Sequence, residues 1–125
     1  MGLGDVTQTV IPKVSILAQA RRGGVVFSYY LTPHHMHAAH AVTGAICVAC
    51  CTSIHNTVAG TLTKRDQDSP STIQIEHPSG AIDVQLEISG SGKDAQVQSA
   101  GIVRTARKIM DGELFVPANL WPSPS

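Results

Sequence analysis

Residues 36–51 contain no Asp, Glu, Lys or Arg and are apolar or small on every side. A helix that is hydrophobic all round is buried all round. The stretch is too short to cross a bilayer, and histidines interrupt its start. It predicts one central helix, ending before Asn56 with Gly60 beyond, and such a helix needs a wrapper. The flanking segments supply one. Residues 10–18 alternate and are β-branched, with Pro12 near the start of the strand. Arg21-Arg22-Gly23-Gly24 reads as a turn, and residues 25–32 as a second strand rich in aromatics and valine. Pro33 marks the change from extended to helical chain.

Downstream, residues 61–64 fit a short strand and residues 65–71 a polar loop. Residues 72–76 and 81–88 alternate clearly around Pro78-Ser79-Gly80, which predicts a β-hairpin. Residues 89–93 form a flexible turn, and residues 96–109 a long strand or a bent pair. The predicted class is α+β, a curved antiparallel, barrel-like sheet wrapped around one central buried helix. Residues 1–117 make one domain, and residues 118–125 a Pro- and Ser-rich tail.

Charge narrows the function. Lys plus Arg and Asp plus Glu number nine each, so the formal net charge is zero. A nucleic-acid binder needs a surplus of cations, and so does a polybasic membrane-surface domain, so neither partner is expected. Charged residues make up only 14% of the chain, low for a solitary soluble domain. A covering domain or subunit is expected, such as the second copy of the chain in a homo-oligomer. The three cysteines, Cys47, Cys50 and Cys51, lie within the apolar helix. They predict buried reduced thiols in a cytoplasmic protein rather than a disulfide framework. With no basic stretch leading into an apolar core, no secretory leader is expected.

His34, His35, His37 and His40 precede or enter the helix. His37 and His40 are spaced to share a ligand on a helix, but no carboxylate completes a set and there is no HExxH pattern, so no metal is expected. The helix start is the better candidate, because free N–H groups and the dipole attract a carboxylate or phosphate. Thr43 and Gly44 fall there. Gly44 either lets a ligand approach the backbone or lets a strand pack closely over the helix, and composition does not separate the two. Imidazoles nearby would gain charge below about pH 6.5. The Ser79-Gly80 turn offers a hydroxyl and an N–H. Arg104, Arg107 and Lys108 form either a solvated strand face or an anion clamp.

Four runs carry a resemblance. Ile11-Pro12-Lys13-Val14, His37-Ala38-Ala39-His40-Ala41-Val42-Thr43-Gly44-Ala45, His77-Pro78-Ser79-Gly80 and residues 104–112 resemble the PrpF family of 2-methylaconitate cis-trans isomerases, 4-oxalomesaconate tautomerases and related enzymes. The resemblance implies a diaminopimelate epimerase-like fold of two pseudo-symmetric domains with the active site between them. Only the second, C-terminal domain is matched, so the resemblance implies a separate first-domain partner as the alternative to a homo-oligomer. The implied reaction is a cofactor-independent 1,3-allylic proton shift on unsaturated di- or tricarboxylates, which needs neither metal nor organic cofactor.

The lysine and cysteine that transfer protons belong, by the same resemblance, to the first domain. Ala41 stands where related epimerases carry a second-domain cysteine, so no catalytic residue is expected in this chain. The expected ligand is a small carboxylate, bound by His40, Val42, Thr43, Gly44, Ser79 and Gly80, with His37 and Arg104 as a clamp. The alternative is a stand-alone binding or scaffolding domain that kept the fold and lost the chemistry.

Overall fold

A computed structural model describes residues 2–32, 34–54, 56–63, 71–90, 92–117 and 119–121. The strands are β1 (Val14–Ala18), β2 (Val26–Leu31), β3 (Thr72–His77), β4 (Gly80–Ser89) and β5 (Gln96–Ile102). Two helices, α1 (Val42–Ser53) and α2 (Val58–Leu62), lie between β2 and β3. A 3-10 turn, Gly92–Asp94, precedes β5. The sheet runs in the order β1-β2-β3-β4-β5 and curls into a half-barrel with α1 against its inner face.

The core follows the strand alternation. Ile73 pairs with Val84 and Ile75 with Ile82 across the β3–β4 hairpin, and all four point inward with Val26 and Leu86. Each such buried side chain contributes roughly 1.5–3 kcal/mol. Ala45, Val48 and Ala49 of α1 close the core from the other side. Small residues on that face let the helix approach the sheet closely.

The structure departs from the sequence expectation in five places. β2 and β3 are parallel, with Val26 opposite Ile75, while the other three neighbour pairs are antiparallel. Parallel neighbours require a crossover, and the α1–α2 excursion is that crossover. Secondly, α1 begins at Val42, so His37 and His40 lie outside it. Residues 34–40 fold back along β2 instead. Met36 bridges Leu31, the His37 amide donates to the Tyr30 carbonyl (2.8 Å), and the Thr32 amide to the His35 carbonyl (2.9 Å). These bonds hold the segment out of a helical path.

Thirdly, α1 is not covered all round. Gly44, Ala45, Val48, Ala49 and Thr52 form its buried stripe, while Val42, Thr43 and Cys47 are exposed. The cysteines are accordingly not all buried. Cys47 is exposed, and Cys50 and Cys51 are half-buried. Fourthly, residues 61 and 62 are helical, because Thr57 caps α2 by accepting from the Gly60 amide (2.9 Å). Lastly, β5 stops at Ile102. After one further bond, from the Val103 amide to the Asp83 carbonyl (3.1 Å), residues 104–117 run exposed and without regular structure. Pro33, most of the polar loop and most of the tail lie outside the described residues.

Candidate functional site

The N-cap of α1 is Ala41, in extended conformation (φ −72°, ψ 139°), and no side chain caps it. The first intrahelical bond runs from the Ala45 amide to the Ala41 carbonyl (2.9 Å). The amides of Val42, Thr43 and Gly44 precede that bond, as the first donors of any helix do. Val42 and Thr43 are exposed at this start, where the dipole favours a negative charge. Gly44 is buried against Tyr30. A Cβ there would collide with the ring, whose Cζ and Cδ2 would lie 2.9 and 3.0 Å away. Gly44 is thus required for strand-to-helix packing, the packing alternative of the two open in the sequence.

Beside the helix start, His37, His40 and His77 sit close enough for their charges to oppose one another. His40 is buried between Tyr30, ring centroids 4.8 Å apart, and Ser28. Its Nδ1 lies 3.0 Å from the Ala41 carbonyl oxygen, which can only accept, so Nδ1 carries the proton. Nε2 then accepts from the Ser28 hydroxyl at 2.9 Å. Both ring nitrogens are engaged, so His40 anchors the helix start to β2 rather than offering a free donor. Burial pulls its pKa below the ordinary imidazole value, and the charges of His77 and His37 add to that against the opposing Ala41 carbonyl.

His77 is pulled down in the same sense, first by burial and then by Arg22 and His37, against a bond to the Ala81 backbone. These two rings therefore gain charge below the pH expected from sequence. His37 is half-buried, accepts the Ala39 amide on Nδ1 (3.1 Å) and meets Tyr30 edge-on at 6.3 Å.

Ser79 Oγ lies 3.3 Å from His77 Nδ1, and His77 in turn is close enough to His37 and His40 to feel their charges, which puts the hairpin turn, with Gly80, beside the histidines that precede α1. Sequence reasoning missed what holds that turn. Arg22 donates its guanidinium to the carbonyls of His77 (2.8 Å) and Gly80 (3.0 Å). Glu76, only 1% exposed, accepts the amides of Arg21 (2.8 Å), Arg22 (2.6 Å) and Gly24 (2.9 Å). Burial pushes the Glu76 carboxyl up, but these three donors and the Arg22 charge outweigh it and hold it below the ordinary carboxylate range.

The structure groups His37, His40 and Gly44 around Tyr30 and links Ser79 and Gly80 to them through His77, while Val42 and Thr43 lie exposed on the first turn of α1. It does not bring in Arg104. That residue is exposed beyond β5, and among the described residues no hydrogen bond or ion pair ties it to the helix start. The cation at the turn is Arg22, and its partners are backbone carbonyls. Among the described residues no group of three or more His, Cys, Asp or Glu is placed to hold a metal ion. No described helix is long and apolar enough to cross a membrane.

The family described as PrpF protein matches residues 1–117. The Escherichia coli K12 protein YbhH is 43% identical over 119 residues, 94% of this chain and 32% of that protein. A (4E)-oxalomesaconate Delta-isomerase of Novosphingobium sp. is 40% identical over 93% of this chain and 32% of its own length. A 4-oxalomesaconate tautomerase of Pseudomonas putida is 34% identical over 99% and 33%. The chain thus spans about a third of the curated relatives it matches. A crystal structure of methylitaconate-delta-isomerase superimposes with a TM-score of 0.58 at 18% identity, over 75% of this chain and 29% of that one. That likeness establishes the shared fold.

Proposed function

The chain belongs to the PrpF family, and on that premise we propose that it forms the carboxylate-binding C-terminal domain of an isomerase of unsaturated di- or tricarboxylates. The observation that carries the proposal is the start of α1, which makes no side-chain cap bond at Ala41, exposes Val42 and Thr43, and follows a histidine cluster that His77 joins to the Ser79-Gly80 turn. In a 1,3-allylic proton shift, a base removes a proton conjugated to a carboxylate and an acid returns one at the far end. The intermediate places negative charge on that carboxylate, so donors aimed at it lower the barrier. Backbone amides at the helix start and an N–H and hydroxyl at the turn are donors of that kind. The names of the relatives, acting on oxalomesaconate and methylitaconate, agree with this substrate class.

Catalysis needs a placed acid and base, and Ala41 supplies neither. Cys47 lies more than a turn deeper in α1. The proton-transferring groups would come from the remainder of a full-length isomerase. The purified chain is therefore expected to bind cis-aconitate without isomerising it. Amide chemical-shift mapping should show perturbation at Val42, Thr43, Gly44 and Ser79, strengthening as pH falls below the ordinary imidazole range. Shifts confined to Arg104, Arg107 and Lys108 would move the site to the segment after β5 and refute the assignment. Turnover by the chain alone would refute the division of labour.

A further inference from the structure

The open side of α1 faces a groove of about 470 Å³ between that helix, β1 and α2. Its walls are largely apolar, from Leu17, Val48, Val58 and Ala59, and its hydroxyls come from Ser15, Tyr30, Thr43 and Thr57. Lys13, one residue before β1, is the sole charged side chain along the lining among the described residues. Among the described residues it has neither an ion-pair partner nor a hydrogen bond. Thr43 and Gly44 belong both to the groove and to the helix start, so the two spaces are continuous.

We propose that Lys13 is a ligand-binding residue whose ammonium holds a second carboxylate of the molecule seated at the helix start. An unpaired cation lining a groove whose other described residues are neutral selects an anionic occupant, and the apolar walls with scattered hydroxyls suit a short carbon skeleton better than a hydrated inorganic ion. This deepens the proposed function and rests on it. If a carboxylate occupies the helix start, Lys13 makes the site specific for acids with at least two carboxylates. Lys13 presents a point charge on a flexible stem, so it accepts the second carboxylate over a range of positions. The run Ile11-Pro12-Lys13-Val14, to which no role attached in the sequence, then places the cation at the head of β1.

The test is titration of the chain with cis-aconitate, followed by amide chemical shifts in wild type, Lys13→Met and Lys13→Arg. Lys13 is exposed, so both variants should keep the wild-type spectrum elsewhere. In wild type, Lys13, Ser15 and Thr43 should shift together with one apparent Kd. Lys13→Met should raise that Kd roughly tenfold, the scale of one charge-assisted hydrogen bond, and Lys13→Arg should restore most of it. A monocarboxylate such as crotonate should bind the wild type no better than the Met variant. If cis-aconitate shifts Thr43 and Ser79 equally well in Lys13→Met, the Lys13 assignment fails while the helix-start site stands. If it shifts nothing in wild type, both fail.

Discussion

Gly44 shows how much one residue decides here. In the sequence it stood equally for ligand approach or for close packing, and the Tyr30 ring settles which. Tyr30 is 5% exposed and lies against His40, so it has little room to yield. Gly44→Ala should therefore destabilise the chain by about 1–3 kcal/mol despite the better helix propensity of alanine. In a Tyr30→Leu background the added cost should shrink, and urea midpoints of the four proteins would reveal this coupling. Cys47 makes a second case. An apolar sequence cannot show which side of its helix a sheet will cover, so three buried thiols were expected. Cys47 is exposed, while burial and neighbouring thiols push the pKa of Cys50 and Cys51 up. A maleimide at pH 8 should label one cysteine quickly and two slowly, and three equal rates would contradict this helix orientation.

At the level of elements, the alternating segments were legible because period-two patterning reports one buried face directly. The 72–76 and 81–88 expectations match β3 and β4 closely. The parallel β2–β3 pair was in the sequence too, as a strand, a helix and a strand, but no neighbouring signal prevented an all-antiparallel reading. What local pattern could not show was long-range pinning. His40 ties the helix start to Ser28, and Glu76 breaks the alternation of β3 by turning into the Arg21–Gly24 loop.

That loop yields a pH prediction with a definite sign. The folded-state pKa of Glu76 is depressed, so its contribution is present above the ordinary carboxylate range and lost as pH falls through it. His40 and His77 are also depressed, so the unfolded chain binds their protons first and stability declines from about pH 6.5 downward. The wild-type urea midpoint should fall in two steps on acidification. Glu76→Gln should cost about 1–3 kcal/mol at pH 7 and diminish only the lower step. A variant whose lower step is undiminished would show that Glu76 does not anchor the loop.

For the whole molecule, the half-barrel and the segment after it point the same way. Residues 104–117 leave the sheet and expose Ile109 (92%), Met110, Leu114 and Phe115 (88%), a run of large apolar side chains. The family match extends through this segment to residue 117, so it belongs to the shared sequence rather than to a private tail. Exposed apolar surface of that kind drives association, and the low charge content of the chain offers little to oppose it. The isolated chain should therefore self-associate through this segment. Removing everything after Arg104 deletes no strand and none of the core residues. The truncated chain should therefore keep its Tm to within a few degrees, a shift worth under about 1 kcal/mol for a domain of this size. It should also sediment as a monomer at concentrations where the full chain does not. If truncation leaves association intact, the contact lies elsewhere, and the exposed groove beside β1 becomes the surface to block next. If truncation instead unfolds the chain, residues 104–117 carry packing energy that their exposure denies.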